Sequence, residues 1–344
     1  MLDLRLLTRP RAVAREGTAM RIDRRGLAAL GVSMLAAPAI AATATDTTQV
    51  SQAMDKFAAL PAQASGLVSA QSGATEWEVA HAPEARMFVG SAVKTFILAQ
   101  TLCEVEAGVL AEDAQRPIDD KVRSLVSPVF ENLTGTTQLR SILEAMISHS
   151  DNTATDAALA ACGVDKVRTL IARAGLSHTQ IPNSTRRLIS YLAGAPYGVD
   201  LDWDGMKALQ QGKSFGTPRP PLNDVETMAS TAREMVKWYQ AALTGAYFVK
   251  PDTLTEYKRI LSMADAIPQA VPPDIAAYGK GGSIDSNDFH CFAFAGQMIP
   301  RGAKVTFYFT INWTGNADGV QPMFLAYKEA VSRVLSAAQK AVLH

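Results

Sequence analysis

The sequence predicts an α+β fold: an antiparallel sheet built from both ends of the chain and flanked by helices, beside an all-helical subdomain. Three observations carry this. Strand patterns lie near the two ends, helical periodicity fills the middle, and a long helical pattern closes the chain.

Taken in order, Leu67, Val68 and then Trp77, Val79 flank the turn signal Gln71-Ser72-Gly73, so Gly66 to Val79 reads as a hairpin. From Ser91 to Leu110 the apolar residues Val93, Phe96, Ile97, Leu98, Leu102 and Val105 cover nearly every side of a helix, which marks it as buried. Leu139, Ile142, Leu143 and Met146 follow the i, i+3, i+4, i+7 spacing of an amphipathic helix that stops near Ser150. An Ala-rich helix follows Asn152, a good N-cap, and ends at Gly163, a good C′ residue. Residues 182–221 are crowded with glycine and proline and lack periodicity, so they read as a long functional loop. Helix returns over 227–243. Phe292, Phe294 and Val305, Phe307, Phe309, Ile311 then alternate with polar or small residues on either side of Pro300-Arg301-Gly302, as antiparallel strands do. Gln321 to Val342 reads as a closing helix.

The first 41 residues read as an export leader. Arg21, Arg24 and Arg25 follow Met20 as a basic segment, Gly26 to Ala37 is small and apolar, and Ala39-Ile40-Ala41 fits a cleavage site. The Arg24-Arg25 pair suits a twin-arginine leader, and a general secretory leader carrying two arginines is the alternative. Either route predicts a periplasmic or secreted domain over 42–344. The leader is arginine-rich, so the remainder is mildly acidic. Nothing in it suggests nucleic-acid binding, and no second long apolar run suggests a membrane span. Cys103, Cys162 and Cys291 are an odd set in apolar surroundings, which reads as buried free thiols. His81, His149, His178, His290 and His344 have no paired spacing for a metal, and no G-x-S-x-G elbow is present. No cofactor is expected. The expected partner is a small-molecule substrate, acted on by a monomer.

The chemistry is concentrated in three short strings. In Ser91-Ala92-Val93-Lys94 a serine opens the buried helix and a lysine follows one turn later on the same face. The helix start places Ser91 in positive potential, with its own N–H free to bind an oxyanion. A buried lysine has a lowered pKa and, when neutral, is a general base for acyl transfer. Alone, this string reads better as a capping serine and a lysine reaching solvent, since roughly one S-x-x-K is expected by chance in a chain of this length. Ser150-Asp151-Asn152, between two helices, is far rarer, on the order of a twentieth of a match. Lys280-Gly281-Gly282 stands just before the C-terminal strands.

In this order the strings resemble the active-site set S-x-x-K, S-D-N, K-T-G of the penicillin-recognising serine hydrolases, and most of all the class A β-lactamases. Ile147 to Ala154, Ser127-Pro128-Val129 and the closing helix add to the likeness. The resemblance implies Ser91 as nucleophile, Lys94 as base and Ser150 as proton shuttle to the leaving group. It implies Asn152, Lys280, Gly281, Gly282 and Ser283 around the substrate, with Ser283 giving a second oxyanion N–H and Asp151 structural. Gly281 departs from the pattern by lacking a hydroxyl for the substrate carboxylate. The family also places a water-activating Glu on a loop at the position of residues 182–221. Ser184 to Tyr191 holds no acid, and Asp200, Asp202 and Asp204 are the available substitutes. The implied function is an exported β-lactam-opening enzyme. A DD-peptidase or esterase on the same scaffold, or a penicillin-binding sensor that is acylated without turnover, are the alternatives.

Overall fold

A computed structural model describes residues 46–343, so the expected leader lies outside the described residues. The first helix, α1 (Thr48–Ala58), buries Val50, Met54 and Phe57 at helical spacing. The hairpin β1 (Gln63–Ser72) and β2 (Thr75–His81) pairs Ser72 with Thr75 across a two-residue turn at Gly73. The turn falls later than Gln71-Ser72-Gly73 suggests, because the left-handed φ of +59° needed there is taken by Gly73 as its first turn residue. After β3 (Met87–Phe88) comes a single 3-10 turn, Gly90–Val93, which runs into α2 (Lys94–Glu106), buried almost all round as its composition requires.

A small ribbon, β4 (Gln115–Ile118) with β5 (Gly135–Gln138), leads to α3 (Leu139–Ser148), α4 (Asn152–Cys162) and α5 (Val164–Arg173). The N-cap of α4 is Asp151, whose carboxylate accepts the Ala154 N–H at 2.7 Å, and not Asn152, the residue the sequence favours. The 182–221 stretch is less irregular than expected. It contains α6 (Thr185–Leu192), capped by Ser184, and α7 (Asp202–Gln210). Each is too short for periodicity to stand out against the surrounding glycines and prolines. Arg219 Nη1 donates to Ala195 O at 2.6 Å and to Tyr191 O, and its guanidinium lies 4.2 Å over the Tyr191 ring. At the same neck a Cβ on Gly194 would lie 2.5 Å from the Gly216 carbonyl carbon, so only glycine fits.

The remainder is β6 (Ala229–Ser230), which pairs with β3, then α8 (Ala232–Ala242), α9 (Pro251–Leu261), α10 (Ile267–Ala270), β7 (Ala277–Ser286), β8 (Phe289–Met298), β9 (Lys304–Thr314) and α11 (Val320–Leu343). The main sheet is antiparallel in the order β2-β1-β9-β8-β7, so the strands from the two ends meet where β1 pairs with β9. Both faces are covered. Phe307, Phe309 and Ile311 of β9 pack with Phe57 of α1 and Val331, Val334 and Leu335 of α11. The alternate residue Tyr308 faces Trp238 and Tyr239 of α8 in the second core, which the helices α2 to α5 extend. The polar members of the β9 alternation, Thr306, Thr310 and Asn312, are therefore buried too. The three cysteines are free thiols, two of them buried, and burial pushes Cys291 up to about 12. Among the described residues no helix is long and apolar enough to cross a membrane.

Asp151 fixes the link between these elements. Fully buried, it also accepts the N–H groups of Val129 and Phe130 at 2.9 Å each. Asp151→Ala should lower unfolding free energy by about 3 kcal/mol or more, from a lost cap and two orphaned buried N–H groups. Urea denaturation measures this, and a loss below about 1 kcal/mol contradicts it.

Candidate active site

Ser91 lies in the 3-10 turn, and Lys94 closes that turn by donating its backbone N–H to Ser91 O. The turn is pressed against β7 with no side chain between them. A Cβ on Gly90, whose φ is +53°, would lie 2.8 Å from Ser283 N. A Cβ on Gly282 would lie 2.1 Å from Val89 O and 2.9 Å from Ser91 N. Gly282 thus admits the backbone of the serine turn, where the sequence suggested that it admits substrate. Gly90 has no place in the three strings, yet it is the other half of this contact. The result brings the N–H groups of Ser91 and Ser283 together at one place.

Lys94 is fully buried at the head of α2. Its Nζ donates to Ser150 O at 2.5 Å, to Asn152 Oδ1 at 2.8 Å and to Ser150 Oγ at 3.3 Å. Burial holds its pKa well below the ordinary lysine range, the Lys280 charge lowers it further, and Asp151, Asp156 and Asp265 partly offset both. The longest of the three contacts joins two groups that can each donate, so a neutral amine can receive the Ser150 hydroxyl proton. Ser150 itself holds a φ of +56°, a costly conformation for a residue with a side chain, which turns it towards Lys94. Asn152 ties the head of α2 to the segment ahead of Ser127, since its Nδ2 donates to Leu125 O at 2.9 Å while Oδ1 receives Lys94.

Lys280 lies within β7, not ahead of it, because the strand begins at Ala277. It is 1% exposed, donates to Gly281 O at 2.8 Å, and is lowered by burial to about 8, with Asp265 opposing the shift. Gly281 has a local reason to lack a side chain: a Cβ there would lie 2.7 Å from Ala266 Cβ. A threonine hydroxyl is excluded unless Ala266 moves. Ser150, Lys280, Gly281, Gly282 and Ser283 share one cavity of about 250 Å³.

The loop acids do not reach this cavity. Asp200 is held by Arg186, through Nε to Oδ1 and Nη2 to Oδ2 at 2.7 Å each. Asp202 and Asp204 have side chains 81% and 92% exposed and line a separate depression with Trp203. Thr185 of the loop is tied to the Ser150–Asn152 string from behind, its Oγ1 lying 3.3 Å from Asn152 O and 3.2 Å from Ser124 Oγ. Its position is fixed by Asp156 of α4, which the sequence reading passed over. Asp156 Oδ1 accepts the Thr185 N–H at 2.6 Å and Oδ2 the Arg186 N–H at 3.0 Å. The signal was available: an acid in an Ala-rich helix, one turn after Asn152, needs the same explanation as Lys94. Burial pushes Asp156 up from 3.8 to about 6, against the pull of those two N–H groups.

The fold and this arrangement are those of a serine hydrolase, with a buried amine 3.3 Å from the Ser150 hydroxyl. The comparisons agree. The chain belongs to the beta-lactamase enzyme family, whose model matches residues 49–294, and it is a serine hydrolase of that family. A beta-lactamase from Sphaerobacter thermophilus has a TM-score of 0.65 at 20% identity, spanning 86% of this chain and 97% of its own. A beta-lactamase from Chitinophaga pinensis gives 0.66 at 17% identity, over 86% and 99%. PBP-A gives 0.64 at 14% identity, over 86% and 97%. At such identities these structures establish the fold. No curated protein sequence matches the chain.

The raised value of Asp156 has a definite sign. Folding favours its protonated form, so its stabilising contribution is complete below the unfolded value and disappears as pH rises through about 6. Relative to Asp156→Asn, the wild type should gain about 3 kcal/mol of stability as pH falls from neutrality towards the unfolded value. Paired denaturation curves across that range check this, and a pH-independent difference contradicts it.

Proposed function

We propose that this chain is an exported acyl-serine hydrolase of the class A β-lactamase type, opening β-lactams or a related amide or ester through a Ser91 acyl-enzyme. One observation carries the reading: a fully buried Lys94, bonded to Ser150 and Asn152, one turn after Ser91. In this reading Ser91 Oγ attacks the substrate carbonyl as its proton passes to neutral Lys94. The N–H groups of Ser91 and Ser283 receive the oxyanion. Collapse expels the leaving group, which takes its proton from Ser150, replenished by Lys94. Lys280 contributes positive charge beside Ser150. Water then releases the acyl group. The leader over residues 1–41 supports a periplasmic or secreted location by the twin-arginine or general secretory route.

A second reading is favoured by Thr185. With Asp200 held by Arg186 and Thr185 beneath Asn152, the loop offers no carboxylate to a deacylating water. This supports a penicillin-binding sensor, or a DD-peptidase or esterase whose own acyl group leaves more readily. Incubation with a chromogenic cephalosporin separates the readings. Sustained turnover supports the lactamase, a single stoichiometric burst supports the sensor, and a silent assay with Ser91 still reactive to acyl phosphonates supports the peptidase or esterase.

Lys94→Ala should slow acylation of Ser91 by about 10²- to 10⁴-fold, the usual cost of losing a general base. In the wild type, acylation should persist down to the lowered Lys94 value and decline as pH falls through it, because only the neutral amine accepts a proton. Pre-steady-state labelling over a pH series measures both, and an unchanged rate in Lys94→Ala rules the role out.

With a penicillin, deacylation should be slower than acylation, so acyl-enzyme accumulates. A missing base costs the second step roughly 3 to 6 kcal/mol that the first does not lose. Intact-mass sampling during turnover reads the bound fraction. A trace-level adduct during fast turnover would show that another group activates the water.

A further inference from the structure

Resting on Ser91 as the acylated group, we infer that the cavity from Ser150 around the outer edge of β7 to α11 binds an apolar, ring-sized leaving group. The substrate class this assigns is an ester of a phenol or a similarly apolar alcohol.

The cavity begins where the leaving atom is protonated. Ser150 is the hydroxyl joined to Lys94, and it lines the cavity together with Lys280 and Ser283. A group departing towards Ser150 therefore enters this space. Beyond the β7 edge the wall becomes aromatic. Phe292 of β8 packs on Phe324 of α11 with centroids 5.2 Å apart and on Tyr327 at 5.9 Å. The Tyr327 hydroxyl is turned into the core, where it donates to Phe309 O at 3.0 Å, so Tyr327 offers the cavity its ring. Four rings, these three and Phe294, around about 250 Å³ suit one more ring, which gains both apolar burial and edge contacts.

The same cavity is poorly built for a carboxylate. Lys280, Lys328 and Asp265 are its charged members. Lys280 is buried and donates to Gly281 O, while the hydroxyl that would stand beside it is replaced by Gly281 under Ala266. Lys328 on α11 and Asp265 ahead of α10 add one charge of each sign.

The reaction balances without any added reagent. The Ser91 Oγ–acyl bond forms as the acyl–oxygen bond to the leaving group breaks. The Ser91 proton passes to Lys94, and Ser150 supplies one to the departing oxygen. Water then cleaves the acyl-enzyme, so one ester and one water give one acid and one phenol, with no redox change.

The test compares a phenyl ester with a polyfluoroalkyl ester of the same acid, chosen so that the two leaving alcohols have matched acidity. The wild type should favour the phenyl ester in kcat/KM by about tenfold or more. Phe324→Ala should bring that ratio towards one. Should this variant fold poorly, phenol should still inhibit the wild type competitively, at concentrations where the fluoroalcohol does not. A fluorophosphonate label mapped on the same preparation separates the two ideas. Ser91 labelled with a wild-type ratio near one, or with a full ratio surviving in folded Phe324→Ala, overturns the cavity assignment alone. A label on another residue overturns the Ser91 reading and this inference with it.

Discussion

The rest of the structure is arranged around keeping one amine dry. Lys94 sits at the junction of the sheet and the helical subdomain, with Ser150 and Asn152 as its partners and no exposed surface. A buried ammonium is costly, and losing its proton relieves that cost. The same burial that makes the side chain an awkward structural element lowers its pKa, which is what the proposed role as base requires. Much of what surrounds it follows from this requirement: α2 is buried on nearly all sides, Asp151 locks Val129 and Phe130 over α4, and Lys280 adds a second buried amine whose field opposes the first.

The second constraint is contact between two backbones. The serine turn and β7 touch directly at Gly90 and Gly282, so the two amides proposed to receive the oxyanion belong to segments far apart in sequence and are registered by the sheet. Because β1, β9, β8 and β7 form one ladder covered on both faces, the position of Ser283 relative to Ser91 is set by the packing of the whole domain. A site assembled across such a junction gains its rigidity from burial far from the chemistry.

Much of the architecture was legible because it rests on periodicity. The hairpin, the buried α2, the amphipathic α3, the C-terminal strands and the closing helix each carry a repeat long enough to read. The short elements were not. With 8 and 9 residues, α6 and α7 offer too few turns for a pattern, and the flanking glycines dominate. The α4 cap was misassigned because Asp and Asn are both good caps, and only tertiary demand on Asn152 by Lys94 and Leu125 O decides between them. For the site, the three strings were visible, while Gly90, Ala266, Asp156 and Thr185 were not. Each acts on a partner far away in sequence, so no local spacing announces it.

One detail of the loop region reaches beyond this molecule's own chemistry. Gly194 and Gly216 meet backbone to backbone, and Arg219 ties the same neck to Tyr191 and Ala195. The excursion that carries α7 is therefore closed at its base by contacts outside the excursion's own helix. Once a loop is pinched in this way, lengthening it adds only about 0.6 kcal/mol of closure entropy per doubling. Beyond Asp200, which Arg186 holds next to Thr185, exposed residues of the excursion can be inserted, deleted or exchanged with little strain transmitted to Asn152. The neck thus leaves the surface that the excursion presents free to vary while the serine site keeps its geometry.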